Sequence, residues 1–180
     1  MILSPAVQQA FIKLAVRGTV GGGALGLGLM AGDAAIGAVR DTLEAQAKAA
    51  WATQYPGSTP AFDDPTWDAF RHSYTSARLT RLFGEDGGQF FMDAVEAINM
   101  GNILEPEELL KDFYNNDKAA ELFGDEPLDI ADFFDNNGVD LDLAEGIKDA
   151  ISRGDIKVNP EDVPNEYEHD SYFPDMGSIA

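Results

Sequence analysis

The chain contains no cysteine, which excludes disulfides, thiolate zinc sites, iron–sulfur clusters and cysteine nucleophiles. Basic residues are also scarce: 12 Lys and Arg stand against 32 Asp and Glu, for a formal net charge of −20. Because phosphate contacts need Lys and Arg, this balance argues against nucleic acid as a partner. An apolar fraction of 44% over 180 residues is still that of a globular chain, so we expect one folded domain with or without appendages.

Charge is distributed unevenly along the sequence. Residues 1–90 hold seven basic and eight acidic residues, whereas residues 91–180 hold five and 24, so the second half carries almost the whole net charge. The simplest interpretation of the acidic half is a solvated surface. A cation-binding face and a docking surface for a basic partner are the alternatives.

A glycine-rich stretch near the N-terminus is long and almost free of charge. Residues 18–39 contain one charged residue, Asp33, and about 20 apolar residues are enough to span a bilayer. Asp33 would cost roughly 2.5–3.5 kcal/mol near the bilayer centre. Glycines at four-residue spacing let helices approach closely in membranes and tight bundles. We therefore predict packing against sister subunits, other assembly proteins or a membrane, with a buried hairpin and a targeting segment as alternatives. The residues expected to make this contact are Gly18, Gly22, Gly26, Gly28 and Gly32.

No part of the sequence shows a sustained strand-like alternation, so the predicted fold class is all-α. Residues 1–55 form a Gly/Ala-rich helical segment, in which residues 34–54 read as an exposed helix. Residues 56–61 are a Pro- and Gly-containing linker, and residues 62–124 form a small helical domain. Its first helix is predicted to start at Pro65 after an Asp64 cap and to stop at Gly84. It is expected to bury Trp67, Phe70 and Tyr74 as a core stripe. Residues 125–180 form an acidic tail with short helices, extended beyond Pro160 on a partner or in solution.

Two short stretches carry the residues with chemical potential. Asp68 and His72 are four apart, so they share one face of the first domain helix. A carboxylate beside an imidazole fixes the tautomer and raises basicity, which general-base chemistry needs. Asp112 and Asn116 are also four apart on a later helix. If these two helices pair antiparallel, the four side chains converge.

These stretches also carry a resemblance to a known family. Residues 69–77 (Ala-Phe-Arg-His-Ser-Tyr-Thr-Ser-Ala) and 112–116 (Asp-Phe-Tyr-Asn-Asn) resemble two motifs of an uncharacterised helical domain. That domain occurs in phages and in bacterial proteins, including the C-termini of secreted toxin-like proteins. The resemblance covers residues 67–124 and implies that His72, Asp112, Asn115 and Asn116 are candidate functional residues. The family's intervening His-Glu pair corresponds to Val95 and Glu96 here, so a function that needs that histidine would be lost.

Two metal sites can be considered from residue types alone. A zinc site needs three protein ligands, and with only two histidines in the chain the candidate set is His72, Glu96 and Asp112. Residues 135–142 cluster oxygen ligands around Gly138, as calcium loops do. Val139 and Asp140 occupy the fifth and sixth positions, however, so the EF-hand register fails and we expect a turn followed by a capped helix.

Two functions of different classes follow from these features. The first is a structural or interaction protein that needs no cofactor, for example a virion or ejection component of a phage particle or a bacterial membrane-associated protein. The second is a hydrolase or toxin-like effector that uses His72 with Asp112 and Asn115. The sequence favours the structural or interaction protein by a narrow margin. The glycine-rich segment is expected to be covered by lipid or by neighbouring protein, and the His-Glu element that the second function would use is incomplete.

Overall fold

The computed structural model describes residues 33–61, 63–85, 87–89, 91–92, 106–128, 133 and 138–167, with side chains in the first helix described from Arg40 onward. The all-α prediction is confirmed, because 72% of these residues are helical and none of them lies in a strand. The helices are α1 (Asp33–Gln54), α2 (Pro65–Phe83), α3 (Pro106–Phe123), α4 (Leu141–Arg153) and a 3-10 helix (Pro160–Asp162).

Capping residues set the ends of α2. Asp64 accepts hydrogen bonds from the backbone N–H groups of Thr66 and Trp67 at 2.9 and 3.2 Å. Pro65 follows in the first turn, where its missing N–H is not needed. The helix stops at Gly84, whose φ of 77° favours glycine. The first domain helix therefore has the start and stop that its sequence predicts.

The hydrophobic core is built around α2, which contacts α1, α3 and α4. The predicted stripe of Trp67, Phe70 and Tyr74 is buried, as expected from its helical spacing. Trp51 of α1 packs edge-on against Trp67 and Phe70, with ring centroids 5.5 Å apart in both pairs. Burying a large apolar side chain contributes roughly 1.5–3 kcal/mol, so this aromatic cluster is a major stabilising element. From α4, the core receives Leu143, Ala144, Ile147 and Ala150.

The first helix is less exposed than its composition indicates. Leu43, Ala47, Ala50 and Trp51 are almost fully buried against the other helices. The prediction of an exposed helix is therefore wrong for this face, although the opposite face carries an ion pair between Lys48 and Glu44 at 2.6 Å. The alanines that look featureless in the sequence leave little side chain between α1 and its neighbours, so the backbones come close.

Residues 155–167, which we call the C-terminal strap, lie on α3 rather than extending away from the domain. Ile156 is buried in the core. Lys157 is hydrogen-bonded to Asn115 of α3, and the Tyr167 hydroxyl donates to the Asp117 carboxylate. The described part of the acidic region thus packs on the domain itself.

Several predictions fall outside the described residues. These are the glycine contacts of the N-terminal segment (Gly18, Gly22, Gly26, Gly28 and Gly32) and Glu96 of the predicted metal set. Among the helices that are described, none combines the length and apolarity needed to cross a bilayer.

Candidate functional site

The interface between α2 and α3 gathers the residues that the sequence singled out. Asp68 and His72 lie on successive turns of α2, and Asp112 and Asn116 lie on successive turns of α3. The Ser76 hydroxyl donates a 2.8 Å hydrogen bond to the backbone carbonyl of Asn116 and fixes the two helices to each other at this point. The convergence expected from the two four-residue spacings is therefore present in the structure.

The imidazole of His72 faces one carboxylate from each helix. Its Nε2 atom lies 3.6 Å from Asp68 Oδ1 and 3.5 Å from Asp112 Oδ2. One side-chain ligand atom from each of these three residues lies within 4.8 Å of the others. The side chains of His72 and Asp112 are 8% and 5% exposed, whereas that of Asp68 is 24% exposed. The group is therefore largely shielded from water, with Asp68 at its outer edge.

Two cationic side chains contact the same group. Arg71 Nη2 lies 2.9 Å from His72 Nε2 and 2.7 Å from Asp68 Oδ1. Because a guanidinium only donates, the short contact assigns Nε2 as the acceptor and the ring proton to Nδ1. Lys111 Nζ lies 3.1 Å from Asp68 Oδ2, 2.6 Å from Glu108 Oε2 and 3.8 Å from Asp112 Oδ1. Lys111 is almost fully buried, while the Arg71 side chain is 35% exposed.

The surroundings of His72 keep its ring neutral. Burial is the main cause that lowers its pKa to about 3, and the positive charges of Arg71 and Lys111 lower it further. Asp68 acts in the opposite direction but is outweighed. The Asn116 amide also lies close enough to favour the protonated ring, although its polar atoms lack good hydrogen-bond geometry. At neutral pH the imidazole thus offers a lone pair and is a weak base.

Two charged neighbours of His72, Asp68 and Lys111, keep their usual ionisation states. Burial alone would raise the pKa of Asp68, but His72, Arg71 and Lys111 lower it to about 2. Burial disfavours the Lys111 ammonium, yet Glu108, Asp112 and Asp68 together raise its pKa above the usual value. The centre therefore combines a neutral imidazole, the ionised Asp68 carboxylate and a buried ammonium.

The two adjacent asparagines, both candidate residues, have different surroundings. Asn115 Nδ2 donates to the Lys157 carbonyl, and the Lys157 N–H donates to Asn115 Oδ1, each at 2.8 Å. Asn115 therefore holds the C-terminal strap on α3. Asn116 faces His72 and is 4% exposed. Only Asn116 of the pair belongs to the group around His72.

Sequence reasoning missed the contribution of Lys111 and Glu108. Glu108 and Lys111 are three apart on α3, which is the spacing of an intrahelical ion pair. That spacing gives no sign that the ammonium also reaches Asp68 on α2. The signal that was available is the position of Lys111 beside Asp112, in a chain where lysine is rare.

The stretch considered for calcium has a different role where it is described. The Asp140 side chain caps α4 by accepting from Leu143 N at 2.9 Å, and it also pairs with Arg81 Nη1 at 2.7 Å. The Asp140 N–H in turn donates to the Tyr74 hydroxyl at 2.9 Å. Residues 134–137 lie outside the described residues, and the described part is the capped helix start that the failed register predicts.

Comparisons of the chain with protein families, with curated proteins and with solved structures find no match.

Proposed function

We propose that the chain is a hydrolase of the toxin-like effector kind and that the α2–α3 centre is its reactive site. The observation that carries this proposal is the 3.5 Å approach of His72 Nε2 to Asp112 Oδ2, two buried side chains from separate helices. Burying such groups is costly unless they are compensated, and compensated clusters with strongly shifted pKa values are frequent at active sites. Asp68 and Arg71 are the members of this cluster that reach the surface, so substrate contact is expected on their side.

Each side chain has a distinct role in this proposal. The two carboxylates, and His72 Nε2 once Arg71 turns away from it, provide the electron pairs that orient the attacking water. Arg71, beside His72 and partly exposed, is placed to stabilise negative charge that develops on the substrate. Lys111 holds the carboxylates in position, and Asn116 adds a polar amide next to the ring. The low basicity of His72 makes proton abstraction by the imidazole alone inefficient, so we assign the proton that the attacking water loses to the Asp112 carboxylate, 3.5 Å from the ring.

The test compares the full chain with His72→Gln in assays for ester hydrolysis, cell-wall hydrolysis and toxicity on expression. His72→Gln is expected to lower the activity by roughly 10²-fold or more, the range typical of a lost acid–base or orienting group. His169→Gln is the matched control, because it replaces the other histidine of the chain. Equal activity of His72→Gln and wild type would refute the proposal.

A second function, in structure or interaction, is favoured by the course of α1. This helix is described from Asp33 onward, which follows residues 18–32 in the sequence, and its later turns are packed into the core through Leu43 and Trp51. A partner held by residues 18–32 would therefore be tied to the domain by a continuous helix. We propose sister subunits, another assembly protein or a membrane as that partner, and the phage resemblance makes a virion or ejection component the concrete form.

The second proposal is tested in the full chain by adding charge to the glycine-rich run. Gly22→Glu with Gly26→Glu should abolish large oligomers and flotation with liposomes, because carboxylates oppose close helix contact and burial in lipid. Ser58→Glu with Thr59→Glu adds the same charge in an exposed loop and should change neither property. A wild-type chain that is monomeric and does not float with liposomes contradicts this second function.

A further inference from the structure

We propose that Asp68 Oδ1, His72 Nε2 and Asp112 Oδ2 are the three protein ligands of a divalent transition-metal ion. The inference deepens the proposed hydrolase function and rests on it for the role of the ion, but its geometry stands independently. Two ligands bonded at about 2.1 Å to a tetrahedral ion are separated by about 3.4 Å. The distances from His72 Nε2 to the two carboxylate oxygens are 3.6 and 3.5 Å, close to that value.

The donor types also suit such an ion. Imidazole nitrogen and carboxylate oxygen are both common ligands of divalent transition metals, and this group brings one of the first together with two of the second. One histidine with two carboxylates gives three protein ligands and leaves a further position for water or substrate, as in catalytic zinc sites. The usual ligand of calcium is oxygen in a six- to eight-coordinate shell, so the imidazole favours a transition metal.

A second observation at the same place is the buried amide of Asn116. The residue is 4% exposed, and within the described part of the chain neither amide atom makes a hydrogen bond of good geometry. A buried polar group in that state is costly, on the order of 1–3 kcal/mol, and it calls for an explanation. The amide lies beside His72 and interacts with its ring only through a contact of poor hydrogen-bond geometry, so a bound ion or its water would supply a better-placed partner.

The positions of the two cationic side chains are compatible with an ion. Lys111 approaches Asp68 Oδ2 and Asp112 Oδ1, which are the carboxylate oxygens not assigned to the metal. It can therefore remain in place and orient both carboxylates as an outer-sphere partner. Arg71 Nη2 instead contacts His72 Nε2 and Asp68 Oδ1, two of the three donor atoms. Arg71 competes with the ion, and its partial exposure allows the guanidinium to turn outward.

This competition gives the proposal a distinctive pattern of variants. Asp112→Asn removes a ligand and should weaken binding at least tenfold. Arg71→Gln removes the competing guanidinium and should leave binding equal or tighter. An ion network that serves stability alone would instead show no stoichiometric metal binding in either variant.

The first experiment is calorimetric titration of the full chain with ZnCl₂ and, separately, MnCl₂. The expected result is one ion per chain for wild type and for Arg71→Gln, with weaker binding for Asp112→Asn. Glu145→Gln with Asp149→Asn is the control, because it removes two exposed carboxylates of α4 and should bind as wild type does. The proposal is overturned if Asp112→Asn binds as tightly as wild type, or if the control loses binding, which indicates a diffuse acidic surface.

The second experiment uses wild type alone, so it stands even if Asp112→Asn fails to fold. With two histidines in the chain, a long-range ¹H–¹⁵N spectrum resolves both imidazoles. Zinc is expected to shift Nε2 of His72 and to leave His169 unchanged at one equivalent. A shift of His169 alone, or of neither ring, overturns the proposal.

The two proposals fail separately. Hydrolysis that requires His72 but continues unchanged in excess chelator overturns the metal site and leaves the hydrolase function standing. Stoichiometric zinc binding at His72 in a chain without hydrolytic activity supports the metal site and overturns the hydrolase function.

Discussion

The side chain of Asn115 and the backbone of Lys157 exchange two hydrogen bonds, each 2.8 Å long. This pairing fixes the C-terminal strap on α3, next to the residue that faces His72. Tyr167 strengthens the same attachment through Asp117 and through an edge-on contact with Tyr114 at 5.1 Å between ring centroids. Asn115 thus attaches the C-terminal strap to α3, while its neighbour Asn116 belongs to the candidate site.

Asn115→Ala is expected to lower the free energy of unfolding by about 2 kcal/mol, because two hydrogen bonds of about 1 kcal/mol each are lost. Amide hydrogen exchange at Lys157 should accelerate more than exchange within α2. Asn159→Ala is the control, since Asn159 is exposed and its side chain bonds only locally to Asp162. Equal effects of the two variants in urea unfolding would show that the strap is not held in this way.

Lys111→Met should destabilise the domain by about 3–5 kcal/mol, because it leaves the buried Asp112 and half-buried Asp68 carboxylates without their ammonium partner. Chemical denaturation measures the loss, and Lys118→Met provides the comparison. Lys118 pairs with the exposed Glu121 at 2.7 Å, and such pairs contribute at most about 1 kcal/mol. A small effect at Lys111 would contradict the assigned network.

Acid should destabilise the protein through His72. The folded-state pKa of about 3 lies below the ordinary value of 6.5, so the unfolded chain binds a proton first as pH falls. The free energy of unfolding should therefore decrease from about pH 6.5 toward pH 3, and Asp68, with its pKa lowered to about 2, adds a further loss below its ordinary 3.8. Measured by urea unfolding in the presence of chelator at several pH values, the free energy of unfolding should fall less steeply with decreasing pH in His72→Gln than in His169→Gln. Identical slopes would count against a neutral, buried His72.

Tyr74→Phe should cost about 1–3 kcal/mol, because the backbone N–H of Asp140 loses its acceptor at the start of α4. Tyr55→Phe is the matched variant: it also removes one hydroxyl and keeps the ring that stacks on Trp51 at 3.8 Å. The midpoint temperature of thermal unfolding, monitored by circular dichroism, should be clearly lower for Tyr74→Phe than for Tyr55→Phe. The opposite order would contradict this role of the Tyr74 hydroxyl.

Local patterns in the sequence predicted much of the fold. Asp64, Pro65 and Gly84 mark the ends of α2, and the spacing of Trp67, Phe70 and Tyr74 predicts its buried face. These features act within a few residues, so they are readable without the rest of the chain. The buried face of α1 was not predicted, because Ala47 and Ala50 fit a helix surface and a tight helix contact equally well.

The candidate site was predictable only in part, because spacing within a helix can be read from the sequence but packing between helices cannot. Four-residue spacing relates Asp68 to His72 and Asp112 to Asn116, but the approach of α2 to α3 depends on tertiary packing. The reach of Lys111 across to Asp68 and the different surroundings of Asn115 and Asn116 follow from that packing. No sequence pattern predicts the Lys111–Asp68 contact or the difference between the two asparagines.

The proposal that His72 and Asp112 act as one reactive centre is tested most directly by a double-mutant cycle on the hydrolytic activity. Residues that act as a unit give non-additive losses. The variant His72→Gln/Asp112→Asn should therefore be about as impaired as the worse single variant. If the two losses multiply, or if either single variant keeps wild-type activity, the two residues do not form one centre.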